Sequence, residues 1–283
     1  MRNNQSIVRG AFFIVASEFS FALGAALVKL VSESFPNESI VFFRNFFGLL
    51  ILAPLLFRGG TKTLQTDCLP IHLVRSGFGI GAMYCFFYAI ANLSLGNTML
   101  IKSTIPLIIP FVSGIWLHEK ISQRIIFAGV LGFLGVFLIL KPDGDTNWAS
   151  LVALLSSVLA AIAFVAVRKL SATEPTLRII SFFSIFGLFI SAIPLIWTWK
   201  TPTVRQFLLL MGLGLATTLG QFLLTRGYQN APAASVGIFT YTSVIFGTFL
   251  GWLFWSELLD MNYFFGAVLI VLAGSIVLRS KIK

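Results

Sequence analysis

The chain is short of charge, and above all of acid. Its 283 residues carry ten Asp or Glu against twenty Lys or Arg, so only 11% are charged, where a globular domain runs at about 25%. That leaves too little polar skin to cover a core, which excludes an ordinary soluble domain. Disorder is excluded as well, because 57% of the residues are hydrophobic and the mean hydropathy is +0.93. Two cysteines, Cys68 and Cys85, give neither a disulfide framework nor a metal spacing. The two histidines, His72 and His118, stand far apart near helix ends. Long polar connections are missing too, so nothing houses a soluble domain, and whatever the chain does happens in or across a bilayer. What is plentiful is Phe, thirty of them, set in one apolar run after another. The reading is an all-α, polytopic membrane protein without metal or cofactor.

A spanning helix takes roughly 20 residues. Runs of that length fall at Val8–Val31, Ser39–Phe57, Leu73–Ala91, Asn97–Leu117 and Ile121–Leu140, then at Trp148–Leu170, Leu177–Trp197, Val204–Thr225, Ala233–Trp255 and Asn262–Leu278. Breakers such as Phe35-Pro36-Asn37, Arg58-Gly59-Gly60 and Glu174-Pro175 sit where connections are needed. The first run has no clean cleavage site and reads as an uncleaved span. Placing the N-terminus inside puts fourteen of the twenty basic residues on the cytoplasmic side, Arg75 among them. Four lie outside, and Arg44 and Lys102 fall within spans. That bias orients both termini inward with an even number of spans, ten in all. The basic balance is then a topology signal with attraction to anionic lipid, not a nucleic-acid footprint.

A shift of 139 residues lays Ile40, Phe43, Phe47, Gly48, Leu49, Ile51 and Ala53 on Ile179, Phe182, Phe186, Gly187, Leu188, Ile190 and Ala192. A shift of 138 lays Glu119 on Glu257. Five spans per half is an odd number, so the second copy enters the membrane from the opposite side. This predicts two inverted five-helix repeats, at residues 8–141 and 148–279, an architecture that places a site at the midplane between halves.

At these residues a family resemblance enters. VKLVSESFPNESIVFFRNFFGLLILAPLL (Val28–Leu56), IPLIIPFVSGIWLHEKIS (Ile105–Ser122) and GVLGFLGVFLILKP (Gly129–Pro142) carry it in the first half. YTSVIFGTFLGWLFWSE (Tyr241–Glu257) and GAVLIVLAGSIVL (Gly266–Leu278) carry it in the second. The chain resembles ten-helix EamA-type members of the drug/metabolite transporter superfamily over nearly its whole length. Many relatives have a proline in span nine where this chain has Tyr241-Thr242-Ser243. With Arg75 opening span three, that variant resembles the branch of S-adenosylmethionine, riboflavin and metallophore carriers. The resemblance implies a secondary transporter of the bacterial inner membrane, and cargo does not follow from fold.

Glu18 lies near the middle of span one, where a charge costs roughly 2.5–3.5 kcal/mol even on the gentler insertion scale. It is open to three readings: a static pair with Arg44 or Lys102, a proton-linked or substrate-contacting carboxylate, or a water-exposed group without a role. Arg44 and Lys102 either snorkel or line an outward-opening pathway. Lys102, Pro106 and Pro110 share one face at i, i+4 and i+8, and each proline frees a backbone carbonyl that needs a partner. Tyr84 and Tyr88 in span three and Tyr241 in span nine sit deeper than the interfacial aromatic belt. Together with Gln221 in span eight, they are candidates for hydrogen bonds to cargo. Glu119 and Glu257, at the ends of spans four and nine, are structural candidates that tie helix ends to basic groups.

No Walker loop, no His-Glu-x-x-His, no paired intramembrane aspartates and no serine–histidine nucleophile occur in the sequence. An enzyme is therefore not expected. The expectation is a secondary carrier working by alternating access, coupled to protons through Glu18 or driven by the solute's own gradient. One acid and two bases at the centre suit an amino acid or an amino-acid-derived solute such as S-adenosylmethionine. The alternatives are a riboflavin, metallophore or drug exporter of the same fold, and a membrane sensor or assembly protein. Partners would be the small solute and membrane lipid, with no nucleic acid, for a monomer or homodimer.

Overall fold

In the computed structural model the described residues are 7–59, 64–116, 123–140, 148–171, 173–230, 237–257 and 261–279, and among them there is no strand. The helices are α1 (Ile7–Ser32), α2 (Asn37–Gly59), α3 (Leu69–Asn92), α4 (Leu95–Lys102), α5 (Ile105–Trp116), α6 (Gln123–Leu140), α7 (Trp148–Leu170), α8 (Thr176–Thr198) and α9 (Val204–Asn230). A short 3-10 turn (Gly237–Tyr241) follows, then α10 (Thr242–Trp255) and α11 (Met261–Arg279). Among the described residues seven segments are long and apolar enough to cross a membrane, α4 and α5 counting as one segment, Leu95–Trp116. Three more apolar stretches are shorter: Ile126–Gly135, Phe239–Trp255 and Phe264–Ala273.

Two departures from the expected spans matter for function. α3 begins at Leu69, four residues before the run predicted from hydropathy, because Pro70 opens it in the first turn where a missing N–H costs nothing. The amides of Ile71 and His72 both donate to the Cys68 carbonyl there. Arg75, expected two residues inside span three on its cytoplasmic side, is six residues inside the helix and only 5% exposed. The second departure is the break of the fourth segment at Ser103 and Thr104. Pro106 has no N–H to give the Lys102 carbonyl four residues back, so the ladder fails at that point. Hydroxyls take over some of the backbone acceptors: Ser103 Oγ donates to Met99 O (3.0 Å), Thr104 Oγ1 to Ile101 O (2.7 Å) and Ser157 Oγ to Ile101 O (3.1 Å). Pro110 lies within α5.

The helix pairings follow the repeat. α1 packs on α9 and α3 on α7, while α2 packs on α8 and α6 on α11. Shifting by 139 exchanges the first two pairings and returns each of the last two to itself. The α2–α8 seam shows the same reciprocity at atomic scale. A Cβ on Gly187 would come within 2.6 Å of Asn45 Oδ1, and a Cβ on Gly48 within 3.7 Å of Ser184 Oγ. Asn45 and Ser184 are themselves 139 apart. The main apolar core lies on the α1 side, with Ala22, Ala25, Val28, Ile40, Phe47, Met99 and Leu213 among its members.

Candidate functional site

Two groups of polar side chains lie inside this scaffold, Glu18 with Lys102 and the two arginines with their acceptors, and most of their members come from the first half of the sequence. Glu18 on α1 is 4% exposed, and its carboxylate accepts from Lys102 Nζ at 3.0 Å. Lys102 is the last residue of α4, directly at the helix break, and its ammonium also stands 5.1 Å over the Phe21 ring. Of the two partners foreseen for Glu18, the structure uses Lys102.

Arg44 is therefore left with neutral partners. It lies seven residues into α2 and is 3% exposed. Its Nε donates to Thr217 Oγ1 (3.1 Å) and its NH1 to Asn45 Oδ1 (2.9 Å). Both acceptors are held in place: Thr217 Oγ1 donates to Leu213 O (2.8 Å), and Asn45 Nδ2 donates to Val41 O (2.9 Å). Arg75 enters from the other end of the bundle and donates through NH2 to Gln221 Oε1 at 3.2 Å. Thr217 and Gln221 are one helical turn apart on α9, so a single face of that helix receives both arginines. The guanidiniums also share the Phe183 ring of α8, with Arg75 Cζ 3.6 Å and Arg44 Cζ 5.3 Å from its centroid. Gly79 lets that ring approach α3, for a Cβ there would meet Phe183 Cε2 at 2.9 Å.

The three tyrosines differ in placement. Tyr241 is 6% exposed and packs with Leu100, Val244 and Ile270, and its hydroxyl has no partner among the described residues. The Tyr84 hydroxyl is likewise buried and unpartnered, while its carbonyl accepts from Asn37 Nδ2 (3.1 Å). Tyr88 is half-exposed near the end of α3. Gln221 sits at the Arg75 contact, and Pro106 and Pro110 flank the first turn of α5 beyond the break. Glu119 lies outside the described residues.

Further contacts between the halves lie at each end. At one end Glu257 accepts from Lys29 and from the Leu95 amide (2.8 Å), and Lys29 also donates to Leu93 O (3.0 Å). Ser256 ends α10 in the left-handed conformation (φ 53°), which turns Glu257 back onto the start of α4. A carboxylate at a helix N-terminus is favoured by the exposed amides and the dipole. Gln206 Nε2 and Lys200 Nζ donate to Ser34 Oγ and Ser34 O at the same end. At the opposite end Glu174 accepts from Thr66 Oγ1 (2.6 Å) and from Arg178 NH1 (2.7 Å). Burial raises the Glu174 pKa, but these two hydrogen bonds and the charges of Arg178 and His72 outweigh it and hold the carboxyl below its ordinary value.

Arg75, Asn45 and Phe183 were not among the site residues expected from sequence. The Arg75 signal was present: Pro70 opens the helix five residues earlier, which sets Arg75 deeper in it than the hydropathy run implied. An apolar groove lined by Phe111, Ile126, Gly129, Val130, Phe133 and Leu134 shares no residue with either polar group. No cluster of metal-ligating side chains occurs among the described residues.

Comparison with known proteins decides what kind of scaffold this is. The sequence matches the EamA-like transporter family twice, over residues 8–141 and 147–279. The chain belongs to that family. It is 35% identical to the pseudopaline exporter CntI of Pseudomonas aeruginosa (strain UCBPP-PA14), over 96% of each chain. It is 24% identical to an S-adenosylmethionine uptake transporter of Rickettsia bellii, covering 94% of this chain and 96% of that one. It is 25% identical to a riboflavin transporter of Vibrio cholerae, with coverages of 98% and 95%. A solved crystal structure shares the fold with a TM-score of 0.66 over 92% of this chain and 95% of its own, at 17% identity. The family and these relatives are transporters of the drug/metabolite type, and the apolar helices make this chain a multi-pass membrane protein.

Proposed function

We propose that the chain is a secondary carrier that moves an amino-acid-derived metabolite outward across the inner membrane by alternating access. In this reading the ten apolar segments form two inverted five-helix halves with both termini in the cytoplasm. The observation that carries it is the set of charges inside the bundle: Glu18, Arg44 and Arg75 are buried and Lys102 is partly buried against Glu18, both arginines reach across to the second half, and further inter-half contacts lie at both ends. A static membrane scaffold has no use for four charges at that depth. The helix break at Ser103 and Thr104 supports the same reading, since interrupted helices line sites in carriers built from repeats. Reciprocal α2–α8 contacts support a two-fold relation between the halves. Export is favoured over uptake by the higher identity to the pseudopaline exporter than to the S-adenosylmethionine uptake transporter.

The test is counterflow. Proteoliposomes holding the purified chain are preloaded with extract fractions rich in amino-acid derivatives, and entry of the labelled compound is followed. Saturable entry accelerated by internal solute is expected. Linear, unsaturable flux would indicate a channel. No flux across a broad panel, with riboflavin included, would favour a sensor or assembly role.

A further inference from the structure

Arg44 and Arg75 come from opposite ends of the bundle and meet on one ring. Each is at least nine-tenths buried, and the oxygens that accept from them, on Thr217, Asn45 and Gln221, are all neutral. Among the described residues no ion pair reaches either guanidinium, and Glu18 is already engaged by Lys102. An arginine stays charged under all ordinary conditions. Taking an unpaired ion out of water is costly, and the Phe183 face offsets only part of that cost. The centre is thus two negative charges short of balance. It also holds an unspent donor, because Arg75 Nε is buried without a partner.

Resting on the carrier reading above, we infer that Arg44 and Arg75 form the binding site for a solute bearing two carboxylates, one for each guanidinium. The planar fork of an arginine matches a carboxylate edge with two parallel hydrogen bonds. Asn45 and Thr217 fix one fork and Gln221 fixes the other, so each is aimed independently, and the shared ring is the floor between them. Two separately held planar donors suit two planar acceptors better than one compact tetrahedral dianion. The bound solute would neutralise both arginines, which lets the loaded centre change sides without carrying net charge past the apolar walls.

The probes are succinate, glutarate and iminodiacetate, with succinamide as the uncharged control and inorganic phosphate as the single-centre dianion. Binding to the full-length chain in lipid nanodiscs is measured by calorimetry and by the shift in melting temperature. At least one dicarboxylate should bind saturably and raise the melting temperature, and succinamide should do neither. Arg75→Gln should weaken that binding by about tenfold or more. Arg75→Lys, which keeps the charge and loses the fork, should weaken it by a smaller factor, and it keeps the test open should the Gln variant fail to fold. Undiminished binding in both Arg75 variants overturns the site, as does binding of phosphate without any dicarboxylate. Counterflow separates the two levels. Dicarboxylate binding without exchange sinks the carrier and leaves the site, whereas saturable exchange of other solutes with no dicarboxylate binding sinks the site and leaves the carrier.

Discussion

At an offset of 139 residues, Glu18, Arg44, Arg75 and Lys102 of the first half fall on Ser157, Phe183, Gly214 and Tyr241 of the second. Every charge is replaced by something neutral, and the replacements serve the same region. Phe183 offers its face to both arginines, and Ser157 Oγ holds the Ile101 carbonyl beside Lys102. Gly214 makes room for Phe47, the next position but two after Arg44 on α2. Arg44 and Phe183 are thus repeat mates in mutual contact, which is the geometry of a seam between two copies. The first half holds the charge of the site and the second half shapes the space around it. A duplicated scaffold therefore does not imply a duplicated site, because a small solute has no two-fold symmetry to match.

The largest effect should follow from removing the one carboxylate of the charged half. Glu18→Gln leaves the partly buried Lys102 ammonium beside an amide, and breaking a fully buried pair costs about 3–5 kcal/mol, the upper bound here. The variant should unfold at lower denaturant and lose transport. Adding Lys102→Met removes the stranded charge, and stability should return while transport does not. Wild-type flux in the double variant would reduce Glu18 to a tie between helices. The next effect tests the shape-giving half. Gly214→Ala places a Cβ within 2.5 Å of Phe47 Cβ, an overpacking worth about 1–3 kcal/mol that a melting curve reads as a drop of several degrees. Gly77→Ala in the other half meets nothing within 4 Å and should leave the melting temperature where it is or raise it. Tyr241→Phe is smaller still. Its hydroxyl lacks a partner among the described residues, so stability should hold and only the KM for cargo should rise, a few-fold. A KM that stays put removes Tyr241 from the pathway.

How legible this was depended on whether a residue's neighbours are local. Apolar runs and breakers placed the helices within a few residues, because the membrane sets their length and composition. Glu18 and Lys102 were visible as charges at depth, and Pro106 and Pro110, four and eight residues after Lys102, marked the segment that breaks. The start of α3 was read four residues late because hydropathy ignores that Pro70 is a good first-turn residue, so Arg75 lies deeper in the helix than expected. Phe183 could not be singled out, since it is one of thirty Phe and its role arises only when α3, α2 and α8 converge. Which base Glu18 engages was likewise a tertiary matter, decided by the α4 break that delivers Lys102 to it.

The smallest effect concerns the ends of the molecule, where the allocation of charge between the halves reverses. At one end the second half supplies the carboxylate, Glu174, to Thr66 of the first. At the position 139 earlier the first half has Phe35, and the neighbouring Ser34 contacts with Gln206 and Lys200 use no carboxylate, the acid of that end, Glu257, serving Lys29 and the Leu95 amide instead. Acid should therefore weaken the Glu174 contact and leave the Ser34 contacts untouched. Because the folded Glu174 pKa lies below its ordinary value, its contribution is complete above the unfolded value near 4.3 and fades as pH falls through the lower folded value. Above that window wild type should melt higher than Glu174→Gln by no more than about 1 kcal/mol in stability, and the two curves should converge below it. Ser34→Ala should lower the melting temperature by the same amount at every pH. A Ser34→Ala penalty that tracked pH, or a Glu174→Gln penalty that did not, would mean that the two sets of contacts are not distinguished by this carboxylate.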